Sequence, residues 1–470
     1  MKDKLLAPIR AFKLKYLPLL AVYFAAGFAA LDAVTSTFFV KNHLTLSAEA
    51  LIGLAIWTQL PWSIKMVFGS IIDGVPLFKS SRKSYIYLGA TLIGLGSVAM
   101  YDIASSQYLV RMVGEYGALL IAGLLTTCGV VMSDIVADTM AVELVEKDEK
   151  YMYNLGMVQV LSRLALSLGA VAAASLTGYL AATFEASTVF LIALVVPLVM
   201  VLGTVVVKSN SPEHPAKLDR TILLGGLGFG LFCVLCGFYL DEYAQLVVFC
   251  GSMIVINYMM YTLIKELDPA IRKSFITVCI AIFLFRVVPS STPGIDWWYI
   301  DGLGFDQKFM GVMRLTSNVI VLGSLWFLAN LVTSSSIRKT MTALVIIGTL
   351  FSMPEIAVYY GWNEYIGLTA RQLLLTSNSI LSLLANISMI PLGVLIAKHT
   401  PSNRRASFMA LTASFMNMAL VGGDIMTQQL SKIFVITRAN FSQVGSFLVW
   451  SLVISTLLSM IGIFLLRKEN

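Results

Sequence analysis

The chain of 470 residues is 58% hydrophobic and only 13% charged, about half the charged share of an average soluble domain. Its mean hydropathy is +0.83, and apolar runs of about 20 residues, the length a helix needs to cross hydrocarbon, recur from end to end. Soluble enzymes and nucleic-acid binders are excluded, and the net charge of +7 belongs to one membrane face more than to an anionic partner.

The N-terminus carries Lys2, Lys4, Arg10, Lys13 and Lys15 before an apolar run too long for a signal-peptide core and without a small-residue cleavage site, so it reads as a retained first span. In chain order the apolar rhythm predicts fourteen helices: Tyr16–Val40, Ala50–Ile72, Ser84–Tyr101, Met112–Met140, Tyr153–Leu180, Thr188–Val207, Thr221–Leu240, Ala244–Ile264, Ser274–Ser291, Phe309–Leu331, Thr340–Tyr360, Gln372–Ala397, Ala406–Thr427 and Val444–Leu466. Loops that stay cytoplasmic hold an excess of Lys and Arg. With the N-terminus inside, 23 of the 33 basic residues fall on the cytoplasmic side and six on the other, the six being Lys41, Arg111, Lys308, Arg371, Lys432 and Arg438. An odd number of spans would scramble that split, so both termini are expected in the cytoplasm.

Histidine is scarce: His43, His214 and His399 all fall in predicted loops, which argues against a histidine-held metal within the bilayer. The five cysteines, Cys128, Cys233, Cys236, Cys250 and Cys279, sit in apolar runs as small packing residues with no disulfide framework. No cofactor is expected. The polar stretch Lys208 to Arg220, with Pro212, His214 and Pro215, interrupts the rhythm after six spans. Two spans without internal charge follow it. The expected organisation is an all-α polytopic membrane protein: a six-helix bundle over 1–208, a linker with two additional helices over 209–273, and a second six-helix bundle over 274–470, with the additional pair peripheral and facing lipid.

Gly69-Ser70-Ile71-Ile72-Asp73, followed by Lys79, Arg82 and Lys83, resembles the loop signature of the major facilitator superfamily. The stretch from Leu60-Pro61-Trp62-Ser63-Ile64-Lys65 through Asp73-Gly74-Val75-Pro76-Leu77-Phe78 to Arg82-Lys83-Ser84-Tyr85 is similar, more narrowly, to the folate-biopterin transporter family. Ser133-Asp134-Ile135-Val136-Ala137-Asp138, Phe285-Arg286-Val287-Val288-Pro289-Ser290 with Leu303-Gly304-Phe305, and Ile436-Thr437-Arg438-Ala439-Asn440-Phe441 extend the resemblance across both halves. It implies a secondary transporter that carries folates or pterins by alternating access, coupled to protons. The additional helical pair departs from the usual twelve-helix plan. Relatives also include carriers of S-adenosylmethionine, and the muropeptide permeases of the same superfamily carry extra spans, so both cargoes remain alternatives. A membrane-embedded transferase is the alternative from another class, but no loop is long enough for a catalytic domain.

Charge at bilayer depth is costly and marks functional candidates. Nine such residues stand out: Lys65, Arg163, Arg286 and Arg314 against Asp32, Asp134, Asp138, Glu355 and Asp424. Asp134 and Asp138 are four apart on one helix face, where two carboxylates repel unless a cation intervenes or one takes a proton. Arg163, on a stripe with Gln159 and Ser167, could be the intervening cation and is a candidate substrate-binding residue, and the acids are the candidate proton-coupling pair. Static ion pairing is the alternative. Asp32, with Phe28, Thr35 and Ser36 on its face, suits a flat heterocycle whose adjacent N–H donors a carboxylate accepts while the ring stacks. Arg286, and Arg314 with Asn318, are placed to clamp a carboxylate tail by the planar guanidinium fork, so that substrate bridges the halves. Arg314 could instead neutralise Glu355 or Asp424. Polar stripes such as that of Asn378, Ser382 and Asn386 more often bond across helices than line a cavity; Asn378 is the candidate cavity residue.

Gating falls to Gly69, Asp73, Arg82 and Lys83 at the cytoplasmic end of the second helix, with Lys65 nearby; Asp73 is placed to accept bonds from loop bases and from a helix N-terminus. The segment Ser290 to Asp306 contains Trp297-Trp298-Tyr299 and three acids. Its aromatics are expected at the lipid headgroups, with an entry platform as the alternative. The expected setting is a bacterial inner membrane, with a small organic anion and protons as partners, no nucleic acid, and a monomeric carrier.

Overall fold

The computed structural model describes residues 12–74, 77, 81–143, 151–205, 220–240, 243–265, 267–327, 336–399 and 405–466, and among them helices are the regular structure, with no strand. Every one of the fourteen apolar stretches is helical over most of its length, but several are broken. Among the described residues, seven helical runs are long and apolar enough to cross a membrane by those measures alone: Leu14–His43, Lys83–Ala104, Tyr108–Ala141, Val160–Thr183, Ala186–Val205, Ile337–Tyr359 and Val444–Leu465. The chain is therefore a multi-pass integral membrane protein.

The first run consists of α1 (Leu17–Phe28), a 3-10 turn over Ala29–Asp32, and α2 (Ala33–His43). Asp32, with φ −96° and ψ 5°, is the residue at which helical geometry lapses. Hydrocarbon leaves no water to satisfy a loosened backbone group. Here the Val34 N–H donates to the Thr177 hydroxyl at 3.1 Å. The second stretch divides into α3 (Ala48–Ser63) and α4 (Lys65–Gly74). Pro61 removes an N–H from the last turn of α3, and the Val67 N–H closes a tight turn on the Ile64 carbonyl at 2.8 Å.

Next come α5 (Ser81–Ala104), α6 (Tyr108–Glu143), α7 (Tyr151–Thr183), and a sixth stretch split into α8 (Ala186–Ile192) and α9 (Val195–Val205). The additional pair is α10 (Arg220–Tyr239) and α11 (Ala244–Ile264). Helix α12 (Pro269–Arg286) begins earlier than the apolar pattern suggests because Asp268 caps it, accepting from the Ala270 N–H, with Pro269 in the first turn. After it follow α13 (Pro293–Trp297), a π-turn Trp298–Gly302, α14 (Gln307–Phe327), α15 (Ile337–Tyr359), the single turn α16 (Trp362–Tyr365), α17 (Ala370–His399), α18 (Arg405–Ile433) and α19 (Val444–Leu465).

Two compact units result. The first comprises the described residues of Met1–Thr45, Ile64–Gly228 and Gln307–Asn318; the second those of Leu46–Ser63, Phe229–Asp306 and Val319–Asn470. The second stretch is thus shared: α4 belongs to the first unit and α3 to the second. In the first unit α1 lies directly on α7. A Cβ on Gly27 would stand 2.0 Å from the Leu166 carbonyl oxygen, and one on Gly169 would stand 2.0 Å from that of Phe24. Only hydrogen fits at either place, which is how helices approach closely where no hydrophobic effect drives them together. In the second unit one apolar core joins Ile52 and Ile56 of α3, Ile256 and Met260 of α11, Phe275 of α12, and Phe415 and Met418 of α18. Helix α11 therefore buries one face against the unit while Ile254 and Tyr258 stay exposed.

The contact between α1 and α7 gives the first test. Gly169→Ala should destabilise the protein by at least about 1–3 kcal/mol through overpacking, read as a lower thermal-unfolding midpoint in detergent. Gly225→Ala, with open space around the new methyl group inside α10, should not lower the midpoint and should raise it slightly through the better helix propensity of alanine.

Candidate functional site

Four polar residues of the first unit converge. Lys65 opens α4, and its Nζ lies 2.5 Å from Asp134 Oδ2 and 3.1 Å from Asp138 Oδ2. The hydroxyl of Tyr23, on buried α1, donates to Asp138 Oδ1 at 2.5 Å. Helical spacing on α6 sets the two carboxylates side by side, and the interruption at Ile64 brings Lys65 to them. Lysine is thus the intervening cation, a role the sequence suggested for Arg163. That arginine sits one helix away on α7, exposed, and acts on Asp134 as a nearby charge without a salt bridge. Asp134 keeps only 23% of its side-chain surface exposed and Asp138 51%. The side chain of Gln159 lies outside the described residues. Tyr23 was not legible from sequence: a tyrosine in an apolar span carries no register signal for a partner 115 residues away.

Asp32 lies at the interruption between α1 and α2 and is half-buried. Phe28, four residues earlier, is buried and stacks on Phe24 with ring centroids 5.7 Å apart. The hydroxyl of Thr35 is buried and has no hydrogen-bond partner. Arg314, on the part of α14 that belongs to this unit, is exposed, and its guanidinium is the positive charge acting on Asp32. Glu355 and Asp424, the acids open from sequence as its alternative partners, each accept from a hydroxyl of the second unit, Tyr299 and Ser290. Gly69 is open, its nearest neighbour to a Cβ being Ile135 at 4.0 Å. Lys83 is half-buried in the first turn of α5, whereas the side chains of Asp73 and Arg82 lie outside the described residues.

In the second unit Arg286 ends α12, where the helix stops at Val287. Its Nη1 faces the Met389 sulfur at 2.8 Å and its Nε is buried without a hydrogen-bond partner. Among the described residues no carboxylate pairs with it. Beyond Arg286 the chain crosses α18 in open form: the Ser290 hydroxyl donates to Asp424 Oδ1 at 2.9 Å, the Ser290 N–H to Thr427 Oγ1 at 2.8 Å, and the Val288 carbonyl would lie 2.3 Å from a Cβ on Gly423.

The segment that follows corrects an expectation. Trp297, Trp298 and Tyr299 are 3%, 5% and 6% exposed, inside the protein, with no exposed ring to anchor at lipid headgroups. The Arg438 guanidinium lies 4.8 Å above the Trp297 ring, and Arg371 donates to the Gly304 carbonyl at 3.2 Å and covers Phe305. The Tyr299 hydroxyl donates to Glu355 Oε1 and is also bonded by Asn378. Asn378 is half-buried, and its polar face is turned to a tyrosine. At the far end of α18, Lys432 pairs with Glu49 of α3 at 3.5 Å.

A family profile described as the BT1 family matches residues 26–470. A protein of Synechocystis sp. named "Folate-biopterin transporter" is 25% identical over 404 residues, covering 86% of this chain and 72% of that one. "Folate transporter 2" of Plasmodium falciparum is 21% identical over 444 residues, covering 92% and 85%. Among solved structures, a POT family transporter in complex with 5-aminolevulinic acid matches with a TM-score of 0.73 at 13% identity over 98% of this chain and 99% of that one. A peptide transporter POT in complex with sulfate matches with a TM-score of 0.63 at 16% identity over 96% and 94%. The structural likeness shows the fold, an all-helical one of the major-facilitator type, and these relatives and neighbours are transporters, not enzymes.

If Lys65 holds the two acids together, Lys65→Met should cost about 2 kcal/mol, between the values for exposed and buried ion pairs. Adding Asp138→Asn should return part of that loss. A double-mutant cycle by chemical unfolding in detergent should show coupling above about 0.5 kcal/mol; strictly additive losses would mean the three groups act separately.

Proposed function

The chain belongs to the BT1 family, and on that footing we propose that it is a secondary active carrier of folate- or pterin-type organic anions, working by alternating access and driven by protons. Arg286 carries the reading. A guanidinium kept at an interrupted helix end, its Nε buried without a partner and no carboxylate bonded to it among the described residues, costs free energy that an anionic ligand repays. Folates end in carboxylates that match the planar fork. In the other unit Asp32 supplies the acceptor for the N–H edge of a pterin, with the unpartnered Thr35 hydroxyl beside it and Arg314 to balance its charge. The names of the relatives agree with this cargo.

The proton task falls to Asp134 and Asp138. Protonation of one carboxylate removes half of the charge that Lys65 holds, loosening α4 from α6 where the second stretch is already divided. Gly69, Asp73, Arg82 and Lys83, at and beyond the free end of α4, form the cytoplasmic gate, and Asn378 lines the path in the second unit. Fourteen crossings, two six-helix bundles with α10 and α11 between them, both termini in the cytoplasm, a monomeric state and a bacterial inner membrane complete the proposal. The bias of Lys and Arg to one face and the cyanobacterial relative support it.

Reconstituted protein should accumulate labelled folate against its gradient when the outside is more acidic than the inside, and a protonophore should abolish this. Arg286→Lys should lower accumulation about tenfold or more, the loss expected when a charged hydrogen bond worth about 1.5–3 kcal/mol goes. Unchanged transport by Arg286→Lys would remove the clamp, and accumulation indifferent to the pH difference would remove the proton.

A further inference from the structure

Glu355 plays no part in the proposed cargo site or in the Lys65 cluster, yet it is the charged residue of α15 that a membrane protein has most reason to justify. It follows Pro354 inside a helix apolar enough to cross the bilayer. Its Oε1 accepts from the Tyr299 hydroxyl. Among the described residues no lysine, arginine or histidine forms an ion pair with it, while Asp296 adds a second negative charge nearby.

Every element packed against α15 leaves that balance unchanged. On α17 the facing polar group is Asn378, which bonds Tyr299, and Arg371 at its outer end is engaged by Gly304, Phe305 and Asp306. No residue of α19 carries a charge. The short α16 brings Glu364, and the segment after α12 brings Tyr299, Asp296 and Asp301, all acidic or neutral. The segment before α19, which Tyr359 joins by donating to the Ser442 carbonyl, brings Arg438, whose guanidinium lies over Trp297 and donates to the Leu46 carbonyl. A half-buried carboxylate in an apolar helix, bonded to a hydroxyl and forming no ion pair among the described residues, finds its neutralising partner in a proton.

We propose that Glu355 is a proton-binding site of the second unit, and that Tyr299 is the residue that senses whether it is charged. In the charged state the tyrosine makes a charge-assisted hydrogen bond, roughly twice as strong as a neutral one. Taking up one proton turns the carboxylate into a carboxylic acid, and the bond that holds the π-turn Trp298–Gly302 to α15 weakens accordingly. The segment is otherwise pinned through Ser290, Trp297, Gly304 and Phe305, so Tyr299 is where its hold on α15 changes with protonation. Only the use of such a switch in transport rests on the carrier reading; proton binding itself does not.

Difference infrared spectroscopy of the full chain in lipid, comparing neutral with acidic pH and with no substrate added, tests this without reference to cargo. The wild type should gain a protonated-carboxyl C=O band on acidification that Glu355→Gln lacks. Tyr299→Phe should keep the band but displace its frequency, since the hydroxyl partner is gone. Identical spectra for wild type and Glu355→Gln would overturn the proton site. An undisplaced band in Tyr299→Phe would overturn the sensor. Should Glu355→Gln fail to fold, Tyr299→Phe alone reads the same group by the shift. Failed folate uptake with the band intact would count against the cargo reading and not against this site.

Discussion

Hydrocarbon offers no partner to a bare charge or an opened peptide group, and each feature that matters in this chain answers that constraint. Where α1 gives way to α2 at Asp32, Thr177 supplies the oxygen that Val34 has lost. Where α3 gives way to α4, Lys65 emerges beside two carboxylates that would otherwise repel. Where α12 ends at Arg286, the open chain beyond it is taken over by Asp424, Thr427 and the bare backbone at Gly423. Three breaks in the helices thus carry a charge, while Asp134, Asp138, Glu355 and Asp424 lie within continuous helices and find their partners across helices.

That coincidence links fold to function. An uninterrupted apolar helix is inert toward a hydrophilic anion, whereas these three breaks place a carboxylate, an ammonium group and a guanidinium where regular helical geometry begins or ends. Such backbone shifts at lower cost than a continuous hydrogen-bonded helix. Lys65 sits at the division of a stretch whose two parts belong to different units, where it pairs with Asp134 and Asp138. Glu355 and Tyr299 apply the same chemistry in the other unit without a cation.

Much of this was legible before any coordinates, and the limits are physical. Runs of about 20 apolar residues and the i, i+4 spacing of Asp134 and Asp138 announced helices and a paired-carboxylate face. Motif stretches from Leu60 to Phe441 pointed to the family that residues 26–470 match. Partner identity was not legible. Arg163 lies on the helix after the acids and was the natural choice by proximity in sequence, but Lys65 reaches them because of a break at Ile64 that hydropathy does not register. Trp297-Trp298-Tyr299 resembled a headgroup belt because composition cannot distinguish an aromatic at an interface from one folded inward; Arg438 above Trp297 and Glu355 beneath Tyr299 decide it. Tyr23, Thr177 and Met389 had no signal, since each acts by reaching across more than 100 residues of chain.

The central claim is that the charged groups within the apolar helices open onto water and not onto lipid. Single cysteines at Asp32 and at Arg286, on a background without Cys128, Cys233, Cys236, Cys250 and Cys279, allow a direct measurement in native membranes with a charged, membrane-impermeant thiol reagent. Both positions should react, folate should slow both, and a cysteine at Leu198, exposed on α9, should stay inert. Reaction of the Asp32 and Arg286 cysteines with a lipid-soluble maleimide alone, and not with the charged reagent, would contradict the account.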